Sequence, residues 1–300
     1  MMQTIRFLTV ALTVLGAWVA LSAPVSAQDL CARDGRDQLV CLDRPAQRIV
    51  SLSPGATELL FSAGAGDRVI AVSAWSDYPP QAAELPQVGD SNRLDLETIM
   101  AMRPDLVVAW VDGNSRQQLD RLMELGIRVF WLAPREFADI AWAIADLALF
   151  AGTRDVGALR AARFRDGVEA LQGRYADAEP VRVFYQVWNQ PLMTVNRQEL
   201  IGKAIELCGG QNVFADQSRL VPRVSREAVL DAAPEVILTA GRGDNDRSWL
   251  DEWRQFPGLP AIAADNLYLE PPDLLARPTE RMLDGISHLC QTLEQARARL

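Results

Sequence analysis

The sequence predicts an α/β fold of two lobes with mostly parallel sheets, joined by a single long α-helix. Three observations predict it. Short, wholly apolar runs alternate with helical segments from Arg48 onward, the pattern of strands covered on both faces of a parallel sheet. A long charged helix interrupts that alternation in mid-chain. One helix–proline–acid–strand unit then occurs on each side of that helix.

In chain order, Arg48 to Leu52 reads as the first strand, broken by Ser53-Pro54-Gly55. Ala56 to Ala63 reads as a helix and Val69 to Val72 as the second strand. Leu96 to Met102 is helical and Leu106 to Trp110 extended; Ser115 is placed to cap a helix reaching about Leu125, and Val129 to Leu132 is a further strand. Phe164, Val168, Leu171 and Tyr175 fall at i, i+4, i+7 and i+11, one face of a helix. Arg160, Arg163, Arg165, Asp166 and Glu169 fill its other positions, and Pro180 ends it. Val181 to Tyr185 begins the second series.

The repeated unit runs from Glu97 through Pro104-Asp105 to Ala109 and again from Glu227 through Pro234-Glu235 to Thr239, at identical spacing. Matching units in different halves make the lobes two Rossmann-like versions of one design. Both aim the carboxyl ends of their strands at a common cleft, where open α/β sheets bind ligands. The expected organisation is a signal over 1–27, an N-terminal extension over 28–46, a first lobe over 47–153, a linker helix over 154–179 and a second lobe over 180–300. A single rigid linker predicts little hinge closure.

Residues 1–27 differ in kind. Arg6 precedes an uncharged apolar run from Phe7 to Leu21, and Val25-Ser26-Ala27 supplies small residues for cleavage, the layout of a secretory signal. The run is short of the roughly 18 residues a membrane span needs, and no second such run follows, so the exported chain is expected to be soluble. Its net charge of −9 argues against nucleic acid and anionic membrane as partners. Export places the four cysteines where disulfides persist. Cys31 and Cys41 flank the turn-like Arg33 to Asp37 and are expected to staple a hairpin, leaving Cys208 and Cys290 as a second pair. Four cysteines allow three connectivities, and a four-cysteine zinc site, which has no Cys-x-x-Cys pair to support it, is the other alternative.

The residues argue against catalysis. His288 is the single histidine, no nucleophile elbow, phosphate-binding loop or dinucleotide fingerprint occurs, and no metal ligands remain once the cysteines are paired. His288 reads as a helix-surface or packing residue. The tryptophans are more informative. Trp75, Trp110 and Trp188 all fall where strands end, and aromatic faces at a cleft suit a large, flat ligand. Trp131, inside a strand, reads as core.

Five stretches are distinctive: Arg-Ile-Val-Ser-Leu-Ser-Pro-Gly-Ala-Thr-Glu (48–58), Trp-Ser-Asp-Tyr-Pro-Pro (75–80), Leu-Asp-Leu-Glu (94–97), Arg-Pro-Asp-Leu-Val-Val-Ala-Trp (103–110) and Leu-Cys-Gly-Gly-Gln-Asn (207–212). In these the chain resembles the periplasmic cobalamin-binding proteins, of the solute-binding class that also serves ferric siderophores and haem. The resemblance implies a monomeric periplasmic carrier, with no cofactor of its own, that passes cobalamin or a related corrinoid to the permease dimer of an ABC importer at the inner membrane. It implies that Trp75 and Trp110 hold the corrinoid, that Asp273, Leu274, Leu275, Ala276 and Arg277 contact it from the second lobe, that Cys208 and Cys290 form the family disulfide, and that Glu97 and Glu227 dock onto the importer. Where the family carries further aromatics this chain has Ser91, Met193 and Val221, a gap that Trp188 partly fills. The alternative within the class is a ferric siderophore or haem carrier, for which Arg223, Arg242 and Arg277 are the candidate cations.

Overall fold

The computed structural model describes residues 30–241 and 244–300; the expected signal segment 1–27, residues 28 and 29 of the expected extension, and Arg242 lie outside them. Two four-stranded parallel sheets form the frame. The first has β3 (Ile49–Ser51), β4 (Val69–Val72), β5 (Leu106–Trp110) and β6 (Val129–Leu132), in the order β4-β3-β5-β6. A hairpin of β1 (Leu30–Arg33) and β2 (Leu39–Leu42) precedes it. The second has β7 (Val181–Gln186), β8 (Gly210–Asn212), β9 (Val236–Ala240) and β10 (Leu267–Glu270), in the order β10-β9-β7-β8.

Helices fill the crossovers: α1 (Pro54–Ser62), α2 (Leu96–Ala101), α3 (Arg116–Glu124) and α4 (Phe137–Ala151) before the connecting helix α5 (Arg154–Tyr175), then α6 (Leu200–Leu207), α7 (Arg226–Ala232), α8 (Asp244–Asp251), α9 (Pro260–Ala263), α10 (Pro272–Ala276) and α11 (Met282–Arg297). Helix α1 starts two residues before the sequence pattern suggests. Ser53 is its N-cap, accepting from the Ala56 amide at 3.1 Å, and Pro54 occupies the first turn, where its missing N–H and fixed φ are harmless. Helix α4 has no stripe to reveal it. Phe137-Ala138-Asp139-Ile140-Ala141-Trp142-Ala143-Ile144 continues apolar almost all round, the mark of a buried helix, and eight of its residues are buried.

Alternate residues of each strand feed opposite faces of its sheet. Ile49, Leu106, Val108 and Phe130 join Val181, Val183, Tyr185 and Val236, with α4, α5, α6 and α11, in one apolar cluster common to both lobes. Val50, Val107 and Trp131 pack under the far face of the first sheet, and Phe184, Ile237 and Trp253 under that of the second. Cys208 and Cys290 are disulfide-bonded inside the common cluster, joining α6 to α11, and Cys31 pairs with Cys41 across the hairpin. The hairpin turn is held by Asp34 Oδ1, which accepts from the Arg36 and Gln38 amides at 2.9 Å. Its tip shields the edge of β6: the Gly35 amide donates to the Trp131 carbonyl at 2.6 Å. Glycine is needed there, because a Cβ would sit 2.6 Å from that of Ala133. Capping an open strand edge in this way blocks edge-to-edge association.

The repeated unit is the same joint built twice. Asp95 caps α2 by accepting from the Thr98 amide at 3.0 Å, and Ser225 caps α7 by accepting from the Ala228 amide at 3.1 Å. Each helix ends in a left-handed residue, Arg103 at φ 47° and Ala233 at φ 43°. The acid after the proline then receives a backbone amide from the start of the neighbouring strand or the residue before it: Arg48 to Asp105 at 3.0 Å, Arg182 to Glu235 at 2.8 Å. Those two arginines reach back to the last turn of the helix, at the carbonyls of Met102 and Ala232.

Candidate ligand-binding site

Because the strands within each sheet are parallel, their carboxyl ends share one edge. Ser53 after β3, Trp110 at the end of β5, and Leu132 and Pro134 at the exit of β6 line a cavity of about 210 Å³ with Pro54, Gly55, Ala56 and Leu59 of α1. Ala276, Arg277 and Pro278, which follow β10, form its wall from the other lobe. The cavity is mainly apolar and falls below the roughly 300–1,000 Å³ of an enclosing small-molecule pocket.

Trp110 is 38% exposed on that cavity. Its position is set by Asn114, a buried side chain that accepts from the Trp110 amide at 2.8 Å and donates to the Leu52 carbonyl at 2.9 Å. Gly113 makes room for the ring: a Cβ there would lie 2.1 Å from Trp110 Cε3. Trp75 follows β4 and is 79% exposed, with φ at 67°. A left-handed backbone is unfavourable for a bulky residue and marks locally stored strain. Its carbonyl accepts from the Asp77 amide at 3.0 Å and from Arg277 Nη2 at 3.4 Å. The neighbouring Ser76 hydroxyl is 3.0 Å from Thr57 Oγ1 of α1. Trp188, 53% exposed, stands at the end of β7, donates from Nε1 to the Gln190 carbonyl at 3.0 Å, and meets Trp249 of α8 edge-on with ring centroids 5.4 Å apart. The pair lies on the same strand-end edge but outside the cavity lining. Met193 and Val221 stand in the loops beside it, Met193 bridging the backbones of Trp188 and Arg223.

Of the stretch 273–277, only two residues line the cavity. Leu275 is buried in the common core, Leu274 packs over Gly285 of α11, and Asp273 pairs with Arg277 at 3.3 Å. The α10 helix turns these side chains through a full circle, so five consecutive residues cannot share one wall.

Glu58, Asp77 and Arg281 were not apparent as site residues from the sequence. Glu58 projects from α1 toward the other lobe with its side chain 2% exposed. It accepts from Arg277 Nη1 at 2.9 Å, Thr279 Oγ1 at 2.9 Å, and Arg281 Nε and Nη2 at 2.9 and 2.6 Å. Arg277 also donates to Asp77 at 2.7 Å, and the Arg281 guanidinium lies 3.7 Å from the centre of the Tyr78 ring. Burial lowers the Arg277 pKa, but the hydrogen bonds to Asp77 and Glu58 outweigh it and hold the guanidinium above its ordinary value. The available signal was weak: one acid inside the apolar Ala-Thr-Glu-Leu-Leu run, and two arginines four apart.

Glu97 and Glu227 are exposed in the first turns of α2 and α7. Each helix returns the chain to the amino end of the next strand, so its glutamate stands toward the cleft edge. Its own backbone amide, and then the Ser225 hydroxyl, lower the Glu227 pKa from its ordinary value. His288 is on α11, its Nδ1 2.8 Å from Glu270, and does not line the cavity. Among the described residues no cluster of metal-ligating side chains occurs, and no helix is long and apolar enough to cross a membrane.

A two-lobed frame with one cleft at its strand ends is a ligand-holding architecture, and the chain belongs to the periplasmic binding protein family, whose profile it matches over residues 49–274. A vitamin B12-binding protein of Vibrio campbellii is 37% identical over 254 residues, 84% of this chain and 91% of that one. One from Yersinia pestis is 37% identical over 248 residues, 83% of this chain and 86% of that protein. The crystal structure of the periplasmic vitamin B12 binding protein BtuF of Vibrio cholerae superposes with a TM-score of 0.78 at 37% identity, covering 84% of this chain and 98% of the other. The haem-binding protein RhuT of Roseiflexus shares the fold with a TM-score of 0.74 at 24% identity.

Proposed function

We propose that this chain captures cobalamin or a related corrinoid in the periplasm and delivers it to an ABC importer. The cavity carries the reading: an apolar floor with Trp110 in its wall, and beside it the exposed Trp75, whose carbonyl is bonded to Arg277 of the opposite wall. Such a surface holds a flat ligand by aromatic contact and apolar burial. Trp188, with Trp249, extends it along the second lobe, and Ala276 and Arg277 meet the ligand across the cleft. The function is binding without chemistry. Residues 1–27 direct export, 28–46 form a stapled extension, and 47–153 and 180–300 are the lobes that 154–179 connects. The monomer presents Glu97 and Glu227, one acid per lobe, to basic residues repeated on the two copies of a permease dimer. Complementary charge of this kind raises encounter rates.

Titration calorimetry of the mature protein with cyanocobalamin tests the reading. One corrinoid per chain is the expected result. Absence of binding, with haemin or a ferric siderophore binding instead, overturns it in favour of an iron carrier.

A further inference from the structure

We propose that Thr57, a buried residue of α1, is a positioning residue for the ligand: its hydroxyl ties the loop after β4 to the helix and so fixes where the exposed Trp75 indole stands. This role presupposes the corrinoid reading above and deepens it.

Trp75 is 79% exposed, so packing gives its ring little orientation and the backbone must set it. That backbone is at φ 67°, which a bulky residue keeps only where its surroundings impose it. On one side the Ala74 amide donates to the Gly89 carbonyl at 2.8 Å. On the other, Ser76 is drawn inside the lobe, 4% exposed, with its hydroxyl 3.0 Å from Thr57 Oγ1 and 3.4 Å from Ser73 Oγ.

Thr57 is fully buried, so it reaches a ligand only through what it holds. Its Oγ1 is also 2.8 Å from Ser51 Oγ, at the end of β3, and 3.1 Å from the Ser53 carbonyl. It carries one proton, so at least one of the two serines donates to it. Without that hydroxyl, Ser76 would keep only the long contact to Ser73, and a buried hydroxyl short of partners gains by turning out to water. The next residue, Glu58, holds Arg277 and Arg281 of the other lobe. Successive helical side chains diverge by about 100°, so α1 grips the Trp75 loop with one residue and the Arg277 wall with the next.

Thr57→Val nearly keeps the shape and removes the hydroxyl. It should weaken cyanocobalamin binding in calorimetry about two- to tenfold, the scale for ordering one loosened side chain on binding. Ser76→Ala cuts the same bond from the loop side and should do likewise, and Thr57→Ser should restore the wild-type affinity. A purely structural role would weaken binding whatever stands at position 75. Each substitution is therefore repeated with Trp75→Ala, which itself weakens binding, and there neither Thr57→Val nor Ser76→Ala should lower affinity further. Losses that persist in that background place the effect at Ser53 and the start of α1 and overturn the inference. Wild-type affinity in Ser76→Ala, or in Trp75→Ala alone, also overturns it, and Ser76→Ala decides by itself if Thr57→Val does not fold. In all these outcomes the corrinoid still binds wild type. Wild type that binds no corrinoid overturns the proposed function and this inference with it.

Discussion

At the amino ends of the strands the two lobes are built alike. Arg48, Met102, Arg103 and Asp105 in the first stand where Arg182, Ala232, Ala233 and Glu235 stand in the second, with the same bonds and the same left-handed turn. At the carboxyl ends they part. The first lobe supplies Trp75, Trp110 and the start of α1, while the second supplies Ala276–Pro278 and, farther out, the Trp188–Trp249 pair. The joint ends two helices whose first turns, toward the cleft edge, carry Glu97 and Glu227, so the two lobes hold these acids on one frame. The likeness stops at the strand-end loops that line the cavity.

The strongest test of that division separates its two ends. Glu97→Arg with Glu227→Arg should abolish corrinoid uptake in cells while leaving cyanocobalamin affinity unchanged in calorimetry. Normal uptake by the double variant would remove the docking assignment and leave both acids as first-turn residues favoured by the helix dipole.

The lobes meet through Glu58. Removing one partner of a buried ion network strands its opposite charges, so Glu58→Ala should lower unfolding stability by about 3–5 kcal/mol. Urea denaturation followed by circular dichroism measures it. A loss within experimental error would mean that the common core alone holds the lobes together.

On the cleft edge, Trp110→Ala should weaken corrinoid binding by about 1–3 kcal/mol, the loss expected from removing an aromatic anchor. Trp188→Ala, outside the cavity lining, should have the smaller effect. Equal losses at the two positions would move the ligand toward the second lobe.

The smallest effect contrasts two acids that burial affects. In the first lobe burial pushes the Asp146 carboxyl on α4 up from 3.8 to about 6. Between about pH 4 and 6 the folded chain keeps a proton that the unfolded chain has lost, so stability falls as pH rises through that window. Asp146→Asn should therefore raise stability at pH 7.5 by about 1 kcal/mol, allowing for solvent screening, and give no gain near pH 4. In the second lobe burial raises the Glu199 pKa against the opposing pull of the Ile201, Leu200 and Gly202 amides. Glu199→Gln weakens those bonds, so it should not match the gain. Thermal melts at the two pH values distinguish the cases.

Local chemistry written along the chain determined much of this protein. The positions of β3 to β7 and of β9 follow from apolar runs, the connecting helix from one stripe ending at Tyr175, the hairpin from a turn between two cysteines, and the repeat from spacing alone; β8, Gly210-Gln211-Asn212, has no such run. Periodicity failed for α4, whose apolar residues face protein on nearly every side. Only the tertiary structure decided which strand-end residues share a cavity. Along α10 it placed Ala276 and Arg277 on the wall and Leu275 in the core, and it brought Glu58 and Asp77 to Arg277 across about two hundred residues of sequence. Strand and helix propensities act between near neighbours. Ion pairing and burial depend on how whole lobes pack, and no local pattern around Glu58 or Asp77 states which charge it will meet.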